Sequence, residues 1–358
     1  LARDGYYLNR VFKLLDTKWE TGLNSQYLYA SRRLFKLATI TQLDATALDF
    51  LATPNPSMQV QDFLSRLDFD PLQYKAQVKQ AGLKSLDENI VTSTGAFKDE
   101  ASRGKIKSLI RLLSGEIMAK ANTERDLLFK YFDAMNLDEG RSVFVDVGWQ
   151  ASSIDSLSQL LSVKNKHKTC LTGCYFGTWH FAQPVIEAGN EIRSFFHHLN
   201  EPKNRSDLIK QSVSIIESLF SAPHPTIVGI EKTDKNWNAL YADTPGQAEA
   251  NQRGEQIWQG AEQFVMDMLP LSIETSEDDG LELIESLLTR ILRQPTKEDA
   301  VNLGRMLHRE SFGNTRTSQI AMDSPRSSSR KKLNSGLEQS SWKQGYLAQL
   351  SANQIKKL

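Results

Sequence analysis

The sequence predicts an α/β fold, with a mainly parallel sheet, a large helical insertion and a helical C-terminal region. Two observations carry the prediction. Two segments read as strand, loop, helix, the signature of layered α/β domains. Between them, residues 41–140 show helical periodicity and little strand signal, far more chain than a βα connection needs.

The first unit is residues 1–15. Leu1-Ala2-Arg3-Asp4-Gly5 reads as the end of a strand entering a loop, and Tyr7, Leu8, Val11, Phe12 and Leu15 then recur at helical spacing. The strand feeding that loop is expected upstream of Leu1, in a longer parent chain. In the second unit, Ser142-Val143-Phe144-Val145-Asp146-Val147 is β-branched and aromatic. It runs into Gly148-Trp149-Gln150-Ala151-Ser152-Ser153, and Ile154, Leu157, Leu160 and Leu161 follow on one helical face. Further strands are predicted at 26–30, 169–176 and 226–230, which places the α/β core in 1–40 and 141–235.

Within the insertion, Thr41 with Asp44, and Ser57 ahead of Val60, Phe63, Leu64 and Leu67, look like helix starts. Residues 236–322 are predicted helical, with one helix capped by Thr296. The polar, basic stretch at 323–340 is expected to be a mobile linker, leaving 341–358 as a terminal segment.

Composition narrows the partners. Of 358 residues, 40% are hydrophobic and 24% charged, which is ordinary for a globular protein. Lys and Arg number 43 and so do Asp and Glu, so neither nucleic acid nor an anionic membrane is attracted overall, and any anion site must be local. Cys170 and Cys174 form neither a disulfide framework nor a four-ligand metal set and read as reduced thiols. With no apolar run of ~18 residues and no signal peptide, the expected location is the cytoplasm, or the inner face of the membrane as a peripheral protein.

The chemistry concentrates at the strand ends. Asp146 closes an apolar strand and is aimed at the crevice beyond its carboxyl end, where open α/β sheets bind ligands and where it can accept from vicinal ribose hydroxyls. Gly148 permits a tight turn. The small residues Ala151, Ser152 and Ser153 leave room for a phosphate on the N–H groups that open the next helix, and Gln150 belongs to the same ribose 5-phosphate loop. The bland alternative is an ordinary turn in which a serine merely caps the helix. Arg3, beside Gly5, could clamp a pyrophosphate, as could Arg32 and Arg33 after the third short strand, although each alone also reads as a solvated turn or helix start. Trp149, awkward as core inside a phosphate loop, is read as a stacking surface for an acceptor sugar. His197-His198 and His180 read as structural.

Together these strand ends resemble the type I phosphoribosyltransferase family, in which a hydrophobic strand, acidic residues and a small-residue loop bind phosphoribosyl pyrophosphate (PRPP). Here Val145-Asp146 and Gly148 to Ser153 match that element, and Leu1 to Gly5 resembles the early glycine-containing loop that the family also uses on the pyrophosphate. The chain departs in having one acid, Asp146, where the family usually shows two, and Gln150-Ala151-Ser152-Ser153 in place of a Thr-Gly-x-Thr loop. The order LARDGYYL, YLYASRRLFKLATI, VFVDVGWQASSIDSL, GCYFG, ESLFSAPHPTIVGIE and SSWKQGYLA also resembles a domain attached to HAD-type phosphatase modules in bacterial surface-polysaccharide (O-antigen or capsule) biosynthesis. The resemblance implies a Rossmann-like, type I phosphoribosyltransferase-like core. It implies transfer of a 5-phosphoribosyl group from PRPP to a glycan, with Mg²⁺ carried on the pyrophosphate and no direct protein ligand. A HAD-type phosphatase in the same chain or pathway is the implied partner. Asp4 or Glu217 is the expected base. A nucleotide-sugar glycosyltransferase and a non-catalytic glycan-binding module are the competing classes.

Overall fold

The computed structural model describes residues 1–93, 95–137, 142–198, 203–210, 213–234, 236–242, 247–271, 276–308, 318–325 and 329–358. In chain order the elements are helices α1 (Gly5–Trp19), α2 (Arg32–Ala38), α3 (Ala45–Leu51), α4 (Val60–Ser65), α5 (Lys75–Gln80), α6 (Glu100–Leu112) and α7 (Ser114–Ala134), then strand β1 (Val143–Asp146). Next come α8 (Ser152–Asn165), β2 (Thr172–Gly177), α9 (Gln183–Glu187), β3 (Glu191–His197), α10 (Lys203–Lys210), α11 (Val213–Phe220), and the strands β4 (Ile227–Lys232) and β5 (Trp237–Tyr241). The C-terminal third adds α12 (Gln247–Met268), α13 (Glu277–Arg293), α14 (Lys297–Gly304), β6 (Leu307–His308), β7 (Ser318–Gln319), α15 (Arg330–Gln339), α16 (Lys343–Gln349) and α17 (Ala352–Ile355).

The fold is mixed α/β around a three-stranded parallel sheet in the order β1-β2-β3. Strands joined in parallel need crossover helices, and α8 and α9 supply them. Along α8, Ile154, Leu157, Leu160 and Leu161 are fully buried against the sheet, each contributing about 1.5–3 kcal/mol of burial free energy. That apolar stripe places the N-terminus of α8 just beyond the carboxyl end of β1.

Several expected elements differ. Residues 1–4 form a turn and α1 starts at Gly5; the Leu1 amine donates to the Val145 carbonyl (2.9 Å), so this segment lies beside β1 without extending as a strand among the described residues. Residues 26–30 are irregular, with the Tyr29 N–H donating to the Tyr131 hydroxyl (2.9 Å). A side chain takes the place of a ladder partner, which local β-propensity cannot foresee. The strand expected near 226–230 forms as β4, but it pairs antiparallel with β5 in a separate hairpin. β3 was not anticipated, and His197 lies on it.

The packing has three cores. One lies between the sheet and α2, α7 and α8; one fills the insertion from Leu37 to Ala121; the third joins the far end of the sheet to the C-terminal helices. α7 belongs to two of them: Ile117 and Ala121 pack in the insertion, Leu128, Tyr131 and Phe132 against the sheet. Asp44 and Thr296 cap α3 and α14 as expected. Ser57 does not cap α4; Gln59 does so through a capping box with Asp62.

The supposed linker at 323–340 needs correction. Residues 326–328 lie outside the described residues, but α15 follows, with Leu333 fully buried and its carbonyl accepting from the Tyr346 hydroxyl (3.1 Å). One apolar residue in a basic stretch anchors it, and Trp342 and Tyr346 supply the surface it packs on.

Candidate functional site

The polar side chains converge on a cavity of about 500 Å³ beyond the carboxyl ends of β1 and β2. Its floor is the loop after β1. Two backbone bonds pin that loop, Gly177 N–H to the Val147 carbonyl (3.2 Å) and Trp179 N–H to that of Trp149 (2.9 Å), while Thr178 N–H to the His197 carbonyl (2.8 Å) ties the end of β2 to β3. A Cβ on Gly148 would stand 2.7 Å from the Gly177 carbonyl oxygen, so only glycine fits. The Gly148–Trp149 peptide bond is cis.

Ala151, the residue before α8, is buried and left-handed at φ 55°. An alanine there costs roughly 1 kcal/mol. No side chain caps α8. Its first N–H groups, flanked by Gln150, Ser152 and Ser153, therefore border the cavity as free donors at the positive end of a helix dipole.

Arg3 enters from the turn before α1, held by its own carbonyl accepting from Ala222 N–H (3.2 Å). Its guanidinium has no hydrogen-bond or ion-pair partner among the described residues, and its Nε is buried. Burial lowers its pKa, with the charge of Asp4 the leading opposing influence. Arg32, the first residue of α2, also lines the cavity, with its side chain exposed. Gly5 lies where α1 passes β1, its would-be Cβ 3.7 Å from the Val145 carbonyl.

Arg33 is placed differently from its expected role. Although it touches the cavity wall, it is 1% exposed and each of its three nitrogens is held by the protein. Nε donates to the Arg66 carbonyl (2.9 Å), Nη1 to the Val228 carbonyl, and Nη2 to Glu124 (3.0 Å). It ties β4 to the insertion, which fixes the guanidinium away from the forked presentation expected for a pyrophosphate clamp.

Three carboxyls share the cavity. Burial, then the negative charge of Glu217, pushes Asp4 up to about 7, with Arg3 opposing. Burial, then the charge of Asp4, pushes Asp146 up to about 8. The Asp146 Oδ1 accepts the Val147 N–H (2.9 Å). Glu217 is raised by burial and drawn partly back by the Trp149 indole N–H, which donates to its Oε1 at 2.9 Å. Titration near neutrality is the property a general base needs, and charged groups shifted together in one cleft mark a functional site.

Trp149 is 6% exposed and stacked on Trp179 (centroids 5.3 Å, 17°). One face is covered, so it serves as a wall and as the orienter of Glu217, an arrangement unlike the open platform expected for an acceptor sugar.

Sequence reasoning missed three residues. Tyr175 on β2, in register with Asp146 on β1, lines the cavity with a buried hydroxyl that has no partner among the described residues. Its place on the strand was legible from GCYFG; its pairing was not. The buried indole Nε1 of Trp179 likewise lacks a partner among the described residues. His308 on β6 lies 3.8 Å from Glu217 and carried no sequence signal.

Among the described residues no group of three or more His, Cys, Asp or Glu side chains is placed to enclose a metal. None of their helices is long and apolar enough to cross a membrane. No protein-family model matches the chain, and no curated protein does.

Proposed function

We propose that this cavity transfers a 5-phosphoribosyl group from PRPP to a glycan hydroxyl, on a type I phosphoribosyltransferase-like core. The observation that carries the reading is one cavity in which an uncapped helix N-terminus and two guanidiniums without ion-pair partners among the described residues face a carboxyl at a strand end. The helix N-terminus with Ser152 and Ser153 holds the 5-phosphate. Arg3 and Arg32 hold the pyrophosphate as forked donors, and Asp146 accepts from the ribose hydroxyls. The Arg33 guanidinium takes no part.

The bond from C1 of the ribose to pyrophosphate breaks, and its electron pair leaves with the pyrophosphate. The acceptor oxygen bonds to C1, and its proton passes to a carboxylate. Asp4, titrating near 7, is suited to take it; Glu217, oriented by Trp149, is the other candidate. Most of the acceleration comes from positioning and from charge aimed at the leaving group.

Mg²⁺ would come in on the pyrophosphate, since it takes few carboxylates and keeps waters and phosphate oxygens, and Asp4 and Asp146 line the cavity that would receive it. When bound, it supplies positive charge against the leaving pyrophosphate. The product bears a phosphate monoester, the substrate class of a HAD-type phosphatase in the same chain or pathway, which is the partner this reading names.

The test incubates the protein with PRPP, Mg²⁺ and a synthetic glycan acceptor, with mass analysis for an added phosphopentose and assay of released pyrophosphate. Asp146→Asn should abolish both. A folded wild-type protein that adds no phosphopentose refutes the proposal. Transfer from nucleotide sugars in place of PRPP moves the protein to the competing enzyme class, and activity unchanged in Asp146→Asn removes this cavity from the reaction.

A further inference from the structure

Near Arg3 and Asp4, outside the lining of the cavity itself, stands a wall of aromatic rings drawn from three distant segments: Tyr6 on α1, Tyr27 and Tyr29 before α2, and His224 and Tyr241 around the β4–β5 hairpin. The rings form a chain. Centroids lie 5.4 Å apart for Tyr6–Tyr27, 5.7 Å for Tyr27–Tyr29, 5.9 Å for Tyr27–His224 and 5.0 Å for His224–Tyr241. The charges of Arg3 and Asp4 both act on the Tyr27 hydroxyl, which puts the wall against the reactive end of the cavity. Ser31, Ser221 and Thr226, next in the chain to wall segments, line the cavity itself.

The wall is also built. His224 Nδ1 lies 2.8 Å from the Pro225 carbonyl, which can only accept, so Nδ1 carries the proton and Nε2 accepts from the Tyr27 hydroxyl at 2.8 Å. This relay fixes the Tyr27 ring. Arg10, 5.9 Å from the Tyr6 centroid, is paired with Glu255 (3.0 Å) and Glu262 (2.7 Å). The wall is thus built of rings, apolar on their faces and edged with hydroxyls.

We propose that this wall is a saccharide subsite, which receives a neutral sugar of the acceptor and delivers one of its hydroxyls to the cavity beside Asp4. Its chemistry matches a ligand with apolar C–H faces and a hydroxyl rim. Tyr6, Tyr27 and Tyr29 meet edge to face at 87° and 89°, so they present a contoured surface and no parallel slot for a planar base. The proposal rests on the phosphoribosyl-transfer reading only in calling this saccharide the acceptor.

The test uses the full chain and two probes measured separately: PRPP with Mg²⁺ by calorimetry, and a printed array of neutral and acidic oligosaccharides read with labelled protein. We expect retention on neutral oligosaccharides. Tyr241→Ala should lower the apparent affinity about tenfold and leave PRPP binding unchanged. Tyr241 is 45% exposed, so its removal spares the core. Tyr27→Phe, which keeps the ring and frees it from His224, should lower glycan affinity several-fold and guards against a folding artefact. Failure of folded wild-type protein to retain any neutral oligosaccharide overturns the proposal, as does retention indifferent to both substitutions. So does binding of free adenine, in place of glycan, that is lost in Tyr241→Ala. Glycan retention that follows the tyrosines while PRPP fails to bind supports the wall and refutes the donor reading, so the two failures are distinct.

Discussion

Replacing Asp146 with Asn should stabilise the protein more at pH 7 than at pH 5. In the unfolded chain this carboxyl titrates near 3.8; in the folded protein burial, and then the charge of Asp4, pushes it up to about 8. Below the lower value both states hold the proton and the group contributes no difference. As pH rises from there toward 8 the unfolded chain has released its proton and the folded protein retains it. Each unit therefore favours unfolding by about 1.4 kcal/mol, until the folded state ionises too. Stability is thus present at low pH and lost as pH rises through this window. Two units, from pH 5 to pH 7, amount to about 3 kcal/mol. With ~2.1 cal/mol/K of unfolding entropy per residue over 358 residues, that is a shift of about 4 °C in Tm.

The amide of Asn keeps the shape and removes the titration. Urea and thermal unfolding of both proteins at pH 5, 6 and 7 should give curves that diverge, the variant gaining on the wild type as pH rises. Parallel curves would show that Asp146 ionises at its ordinary value, and the shared burial of the three carboxyls would then be wrong. The same substitution should eliminate PRPP binding, the usual conflict between stability and a functional charge cluster.

Gly148→Ala sets a methyl 2.7 Å from a backbone oxygen with no flexible neighbour to yield; we expect a loss of about 2–3 kcal/mol in denaturant unfolding together with loss of PRPP binding. Neighbouring arginines should separate cleanly. Glu124→Ala leaves buried Arg33 without its ion pair and should cost about 3–5 kcal/mol. Exposed Arg32→Ala should leave the midpoint of unfolding where it is and weaken pyrophosphate binding at least tenfold by calorimetry. Trp149→Phe removes the indole donor that holds the pKa of Glu217 down. If Glu217 is the base, the acid limb of the pH–rate profile should move to higher pH; a profile that stays put assigns the base to Asp4.

The sequence disclosed the loop after β1 almost in full, because a strand, a glycine and small residues before a periodic apolar face are all local signals. Ser142 to Leu161 folded as read. What escaped it was pairing at long range. Arg32 and Arg33 are indistinguishable as a dipeptide, yet one side chain is exposed beside the cavity and the other is bonded to Glu124, Arg66 and Val228 across the insertion. Trp149 looked out of place in a phosphate loop because its partners, Trp179 and Glu217, arrive from remote chain. β4 was correctly seen as extended, but no propensity tells a strand whether a sheet or a hairpin awaits it. The aromatic wall was invisible for the same reason, since its rings come from three segments.

A cavity holding two guanidiniums without ion-pair partners and three carboxyls looks at first ill-suited to an anion. The raised pKa values resolve this. At pH 6 Asp4 and Asp146 still hold protons, so Arg3 and Arg32 dominate and an anion is welcome. Through about 7 and then about 8 the carboxyls charge in turn, and each adds repulsion against the same ligand. Metal-free inorganic pyrophosphate should therefore bind with an affinity that falls as pH rises, by up to tenfold per unit for each proton that must be taken up. Calorimetry in two buffers of different ionisation enthalpy, at pH 6 and pH 8, would count those protons: close to none at the lower pH, one or more at the higher. An affinity flat across that range, with no proton uptake, would place the anion away from Asp4 and Asp146 and separate Arg3 from the carboxyls it is here said to share a ligand with.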